Sequence, residues 1–504
     1  MRRGLALVAV LLSCAAPATA HAAKRCDEPG MRWQRATPAE AGMDAAKVAD
    51  AVRFAMRNDS IDVRVIRHGC LVAQDGRGVP FQSFSLAKSV TSLVFGRAWT
   101  LGLISPDDPL GSLFGEADAQ HGALLMRHLA TMTTGNAQQF MHDFNLAMVD
   151  RVRDALTIGL VAPPGETFNY WQTGPATLAA SVKRAAGEDF QALAQRELFA
   201  PLGIRPGTWL WTRDPSGNTA GFWGLWMRAD DYARLGELLR REGVWRGRRL
   251  LSRQYVREAL QPTKPFGCYA MLIWRQATPR CNWPVHLGLP EDMWQFNGAQ
   301  GQLVTAFPTQ GLIVVRTGLD PSQSNWAVGG DANGAAERGF HDRVLRAITD
   351  EPVTLERKPR DPSRPSHLQQ QRPSAGDEVA GGLSSVVQPP LPPAGPWRAR
   401  AVLIDDAPAR ADRNGRFVVQ LRCPPIWPGR GGSCNGTLTA KHGRSAVPFN
   451  IAPGEAGAVR VRLTSRALRR VRRHGSLAVA VRATVRDETA AGTTTSGSLE
   501  VRRR

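Results

Sequence analysis

The chain has 504 residues, 43% apolar and 21% charged, a balance that excludes full disorder and allows two to four domains at roughly 150 residues each. No run approaches the roughly 18 consecutive apolar residues of a membrane span. The formal charge of +20 is uneven: residues 396–504 hold a net +14, residues 352–395 +1 and residues 1–351 only +5. Only 7 of the 64 basic residues are Lys, so arginine content alone is no sign of a polyanionic partner.

Met1-Arg2-Arg3, the apolar run Gly4 to Leu12 and the small-x-small site Ala18-Thr19-Ala20 predict a signal peptide over residues 1–22, hence a secreted or extracytoplasmic protein. A second reading is a lipoprotein anchored through Cys14, after Leu11-Leu12-Ser13. Export leaves Cys26, Cys70, Cys268, Cys281, Cys423 and Cys434 in an oxidising compartment, where an even count favours disulfides. Six cysteines allow 15 connectivities. Each neighbouring pair falls inside one candidate module, so Cys26–Cys70, Cys268–Cys281 and Cys423–Cys434 are the expected bridges. No pair has C-x-x-C spacing, and neither a metal nor a cofactor is expected.

Asp44 is placed to cap an amphipathic helix over residues 45–57, with Val48, Val52 and Phe54-Ala55 on its apolar side. Two short strands follow, Val63 to Ile66 and Leu71 to Ala73. After a long region of helical patterns, Leu303 to Phe307 and Leu312 to Thr317 form a second hairpin, and a helix spans about 335–349. This symmetry predicts one α+β domain over 24–351 whose sheet uses both chain ends. Residues 352–395 have the Pro, Gln and Ser content of a linker. Beyond it, Phe417 to Leu421, Val459 to Leu463 and Leu477 to Val485 alternate apolar and polar residues, as in an antiparallel β-sandwich over 396–504.

Ser85-Leu86-Ala87-Lys88 is the only S-x-x-K in the chain, and it opens an apolar helical run. Residues i and i+3 share a helix face, so the Lys88 amine reaches the Ser85 hydroxyl. A serine hydroxyl needs such a base before it is a useful nucleophile, and burial lowers a lysine pKa toward that role. The plain alternative is Ser85 as a helix N-cap and Lys88 as a solvated first-turn residue.

The wider pattern decides between them. Phe84-Ser-Leu-Ala-Lys-Ser-Val-Thr-Ser-Leu, Met126-Arg-His-Leu-Ala-Thr-Met-Thr-Thr-Gly, Pro164-Gly-Glu-Thr-Phe-Asn-Tyr-Trp-Gln-Thr-Gly, Pro201-Leu-Gly-Ile and Asn297-Gly-Ala-Gln-Gly-Gln occur in that order. So arranged, the chain from about Thr37 to Gly318 resembles the β-lactamase-fold serine hydrolases, in particular the class C-like esterases and aminohexanoate-dimer hydrolases. The resemblance implies an antiparallel sheet flanked by helices with a helical region, followed here by the all-β sandwich. It implies Ser85 as acyl-enzyme nucleophile, Lys88 as its base partner and Tyr170 as the second general acid/base. Gln172 stands where the family carries Asn, keeping an amide displaced by one methylene. The oxyanion donors implied are the Ser85 and Ala299 amides, with Gly298 at the turn.

True β-lactamases read a substrate carboxylate with the lysine of K-T-G, whereas this chain has Asn297-Gly298-Ala299. The expected reaction is therefore hydrolysis of an ester or non-peptidic amide, with Arg213 or Arg228 as possible substitutes for the absent lysine. Tyr232, Tyr255 and Tyr269 read as packing residues, and His128 as core or capping. Rival readings are a penicillin-binding, D-alanyl carboxypeptidase or β-lactamase activity, and a catalytically silent binding protein. Arg466, Arg469, Arg470, Arg472 and Arg473 suggest an anionic cell-surface polymer as partner of the C-terminal domain, with no nucleic acid expected.

Overall fold

The computed structural model describes residues 22–26, 32–137, 140–143, 148–275, 277–279, 281, 288–318, 335–355, 403–404, 408–423, 434–451, 456–485 and 493–503. The expected signal peptide and nearly all of the expected linker lie outside them.

Helix α1 (Ala45–Arg57) begins where the Asp44 carboxylate accepts the Lys47 amide at 2.9 Å, and it buries Val48, Ala51, Val52 and Ala55. Strands β1 (Ser60–Arg67), β2 (Cys70–Gly76), β3 (Trp294–Gly298), β4 (Gln302–Phe307) and β5 (Leu312–Gly318) form one antiparallel sheet in the order β2-β1-β5-β4-β3. The chain ends meet at its centre, where β1 pairs with β5 and Val65 lies opposite Val314.

Both faces of the sheet are covered, which is why its strands read as nearly continuous apolar runs. Val63, Val65, Leu312 and Val314 pack with α1 and with Phe340 and Val344 of α5 (Ala335–Arg346). Ile66, Val304, Ile313 and Val315 face the other core, shared with α2 (Leu86–Thr100), α3 (Thr173–Ala186) and α4 (Ala229–Arg240). Strand β3 is the edge, and α2 packs beside it. At Gly298 the approach leaves no room for a side chain: a Cβ there would sit 2.1 Å from the Ser83 carbonyl oxygen. The edge of the sheet and the start of α2 are thus in direct contact.

In the C-terminal part, β6 (Leu403–Ile404), β8 (Arg416–Arg422) and β11 (Ala456–Arg462) form one sheet, ordered β6-β8-β11. The facing sheet contains β7 (Ala409–Ala411), β9 (Cys434–Ala440), β10 (Val447–Ile451), β12 (Ser476–Val485) and β13 (Thr493–Arg503), ordered β7-β13-β12-β9-β10. Phe417, Val419, Leu421, Val459 and Val461 close against Leu477, Val479, Val481, Leu499 and Val501. The sandwich expected from the alternating pattern is present with two additions. Strands β7 and β13 pair in parallel, and a helix, α6 (Ser465–His474), follows β11. Three disulfides join Cys26–Cys70, Cys268–Cys281 and Cys423–Cys434, with Cα separations of 5.0, 4.7 and 5.7 Å. Among the described residues no helix is long and apolar enough to cross a membrane.

Candidate active site

Ser85 stands at the N-cap position of α2 but makes no side-chain cap bond. Its hydroxyl instead lies 3.0 Å from Lys88 Nζ. Lys88 is 1% exposed, so the solvated first-turn alternative does not describe it. The residue before the serine, Phe84, sits in the left-handed region at φ 46°. For a bulky side chain that conformation costs on the order of 1–3 kcal/mol and is held by its surroundings.

Every hydrogen-bond partner of the Lys88 amine is neutral: Ser85 Oγ, Gln172 Oε1 at 2.6 Å and the Phe222 carbonyl at 3.4 Å. Burial without a contacting carboxylate disfavours the ammonium, and its pKa falls from 10.5 to about 7. Asp143 opposes that fall and Arg151 adds to it. Such a group is half neutral near physiological pH, which is what a general base requires.

Asp143 escaped the sequence reading. Its carboxylate accepts the Gln172 amide at 2.8 and 2.7 Å, the Thr173 amide at 3.2 Å and the Thr173 hydroxyl at 3.2 Å. It thereby caps α3 from 29 residues away and fixes the segment carrying Tyr170 and Gln172. Burial pushes its carboxyl upward, while these donors and Arg151 hold it down. The Met-His-Asp context carries no motif that could have flagged it.

The Tyr170 ring lies under Lys88 Nζ, 4.6 Å from its centroid. Burial pushes the phenol pKa up, so Tyr170 is held as a proton donor. Gln172 is buried and its Nε2 has no partner among the described residues. A buried donor left unbonded costs about 1–3 kcal/mol, so an incoming acceptor gains from meeting it. The ring of Tyr170 stacks on Trp274 at 5.8 Å and meets Tyr269 edge-on at 6.0 Å. Tyr269 is the packing residue expected, buried in the core, although no strand carries it. It lies in a turn whose one isolated bridge is to Trp274, and its ring lines the wall behind Tyr170. The Cys268–Cys281 bridge closes that turn, and Ser89 Oγ donates to the Leu272 carbonyl at 2.6 Å.

Strand β3 brings Gly298 and Ala299 to the start of α2. Two further unanticipated side chains hold this corner. Gln302 Nε2 donates to the carbonyls of Ala299 (3.2 Å), Gln300 (3.2 Å) and Gly318 (2.5 Å). The buried Arg316 donates to the Gln300 and Gly301 carbonyls at 3.0 and 2.7 Å. Gln300 has φ 64°, so the corner needs this bracing.

Other candidates fall elsewhere. Arg213 is bound to both Asp189 oxygens at 2.8 Å, and Arg228 occupies the N-cap position of α4. Asn297 Nδ2 donates to Gln295 Oε1. His128 Nδ1 accepts the Leu125 amide at 3.1 Å, a helix-start contact as anticipated. Tyr232 donates to two carbonyls, and Tyr255 bonds Ser92. Among the described residues no cluster of three or more His, Cys, Asp or Glu could hold a metal ion.

Similar solved structures include a provisionally assigned β-lactamase from Bacteroides dorei, 17% identical, covering 61% of this chain and 99% of that one at a TM-score of 0.51. A provisionally assigned 6-aminohexanoate-dimer hydrolase from Bacillus anthracis is 17% identical over 63% of this chain and 89% of that one, at a TM-score of 0.47. A penicillin-binding protein homologue from Caulobacter crescentus is 16% identical over 61% and 98%, at a TM-score of 0.47. At 17% identity the likeness to the Bacteroides dorei structure establishes fold alone. No curated protein sequence matches the chain. The beta-lactamase family model matches residues 60–319, slightly more than half of the chain, which therefore belongs to the β-lactamase-fold serine hydrolase family.

Proposed function

We propose that this chain is a secreted serine hydrolase that cleaves neutral esters, and non-peptidic amides more slowly, through an acyl-enzyme on Ser85. The observation that carries the reading is the buried Lys88 amine, 3.0 Å from the Ser85 hydroxyl with its pKa near 7. In acylation neutral Lys88 takes the hydroxyl proton while Ser85 Oγ bonds to the acyl carbon. Negative charge gathers on the carbonyl oxygen, facing the Ser85 and Ala299 amides. As the intermediate collapses the carbon–oxygen bond to the leaving group breaks. Tyr170 gives that oxygen a proton and regains one from Lys88. In deacylation water adds to the acyl carbon, loses a proton to the same pair, and the acid departs as the proton returns to Ser85.

Neutral substrates are favoured because no positive side chain stands in Asn297–Ala299. Arg316, beneath the turn, is directed at backbone carbonyls. A substrate carboxylate would enter a desolvated site without a partner, which is costly. The unpartnered Gln172 Nε2 suits a neutral carbonyl acceptor instead. The disulfides accord with an oxidising compartment and support the export reading.

Intact mass after treatment with a fluorophosphonate probe tests the assignment. One adduct mapping to Ser85, lost in Ser85→Ala, is expected. No adduct, together with no hydrolysis of p-nitrophenyl acetate, would leave a silent binding protein. Efficient nitrocefin turnover without esterase activity would favour a β-lactamase.

A further inference from the structure

We infer that the C-terminal sandwich carries a binding surface for an anionic polysaccharide, built around α6 and independent of the Ser85 chemistry. The helix is capped by Thr464, whose hydroxyl accepts the Ala467 amide at 3.3 Å, and ends at Gly475 in the left-handed region. Ala467 and Val471 anchor it to the sandwich. Arg466, Arg469, Arg470 and Arg473 are exposed, and none forms an ion pair among the described residues.

The fold adds to these arginines from distant parts of the chain. Arg472 donates to the Arg413 carbonyl at 2.7 Å, which brings the 412–416 turn against the helix. Arg444 donates to Ser465 Oγ at 3.2 Å from the opposite end. Arg416 and Arg462, both exposed, lie directly across from each other on β8 and β11. Like charges directly opposite on a sheet repel, and Asp412 in the adjoining turn offsets part of that repulsion. Asp412 is the carboxylate in the turn, and its Oδ1 accepts the Asn414 and Arg416 amides.

The chemistry narrows the partner. Single-stranded nucleic acid is gripped by stacking bases on aromatic rings, and the aromatic residues of the sandwich among the described residues, Phe417 and Phe449, are buried. Membrane-surface helices bury an apolar face in lipid, whereas the apolar face of α6 is already spent on the sandwich core. What remains is a dense field of guanidinium forks, which match sulfate and carboxylate groups in two-point contacts. A polymer with an anionic group on successive sugars presents such acceptors repeatedly without requiring stacking or insertion.

The test uses the full chain and heparin as the anionic-glycan probe, with double-stranded DNA and phosphatidylglycerol vesicles in parallel. Heparin binding is expected to weaken about tenfold or more between roughly 50 and 300 mM NaCl. The combined change Arg469→Ser, Arg470→Ser and Arg473→Ser is expected to weaken it about tenfold while leaving p-nitrophenyl acetate turnover unchanged. Heparin binding that survives the triple change would overturn the assignment to α6. Tighter binding to DNA or to vesicles than to heparin at equal charge would overturn the polysaccharide. Absence of heparin binding at 50 mM NaCl would sink the surface altogether without touching the Ser85 reading.

Discussion

Arg67 and Arg469 show how differently the two parts of the molecule treat a cation. Arg67 is fully enclosed on β1 and donates to the Ala41 and Gly42 carbonyls at 2.6 and 2.7 Å and to Asp350 at 2.6 Å. Arg64 on the same strand reaches Asp230 at 2.6 Å, and Arg234 reaches Asp231 at 2.7 Å. In the sandwich Arg466, Arg469, Arg470 and Arg473 stand in solvent with no such partner among the described residues. Arginine abundance is thus uninformative until placement is known. Arg64, Arg67 and Arg234 of the β-lactamase-fold part are structural forks, whereas Arg466, Arg469, Arg470 and Arg473 of the sandwich are displayed. Lys88 is a third case, buried like Arg67 but contacted only by neutral acceptors.

The sharpest way to break the comparison is to remove Lys88. If its isolation serves proton transfer, Lys88→Ala should lower the acylation rate by about 10³-fold or more while the fold persists. Stopped-flow acylation with p-nitrophenyl acetate, alongside circular dichroism, reads both. A rate within tenfold of the parent would make the buried amine merely structural. Removing Arg67 should do the reverse. Arg67→Ala leaves three carbonyls (Ala41, Gly42 and Gln310) and Asp350 without their donor and should cost about 3–5 kcal/mol in urea unfolding, with no specific effect on the chemistry of the remaining folded protein. A loss below about 1 kcal/mol would mean that the fork is dispensable.

Helix α1, both hairpins and the S-x-x-K helix are legible in sequence because each is specified locally, by a cap, a turn or a 3.6-residue stripe. The motif order located the segments carrying Tyr170 and Ala299. What stayed hidden acts across long separations. Asp143 caps a helix 29 residues away, and Gln302 and Arg316 brace a corner through carbonyls, which leave no side-chain signature. Tyr269 packs in the core as its apolar surroundings imply, but its place against the Tyr170 ring depends on a disulfide-closed turn that no local pattern specifies. Helix α6 has its end signals, Thr464 before and Gly475 after, but only Ala467 and Val471 are buried along it, so its apolar stripe is too thin to stand out among the arginines.

Asp143 offers a finer test of why Lys88 is poised near neutrality. The groups facing the amine are the Ser85 hydroxyl, Gln172 Oε1, the Phe222 carbonyl, the rings of Tyr170 and Phe222, Asp143 and Arg151, and Asp143 is the one anion that stabilises the ammonium. Asp143→Asn keeps an acceptor for the Gln172 amide but removes the negative charge. The sign follows directly. Losing an anion disfavours the protonated amine, so the acid limb of kcat/KM, expected near pH 7 in the parent, should move to lower pH. A purely structural role would lower the whole profile without moving it. An unmoved limb at full height would show that Asp143 is already uncharged when Lys88 titrates.

The smallest effect separates display from structure within the sandwich itself. Arg462 faces Arg416 across β8 and β11, and its Nε donates to the Asn414 carbonyl at 3.3 Å. Arg462→Gln keeps an amide donor on a similar stem and removes one of two opposed charges. If the pair is held for a ligand, the change should stabilise the protein by a few tenths of a kcal/mol, up to about 1, at low salt. The gain should fade near 1 M NaCl, where screening acts within about 3 Å. Heparin affinity should fall in the same variant, so stability and binding move in opposite directions. A loss of more than about 1 kcal/mol at both salt concentrations would place Arg462 with Arg67 as a structural fork, and the contrast between the two parts of the chain would fail at that residue.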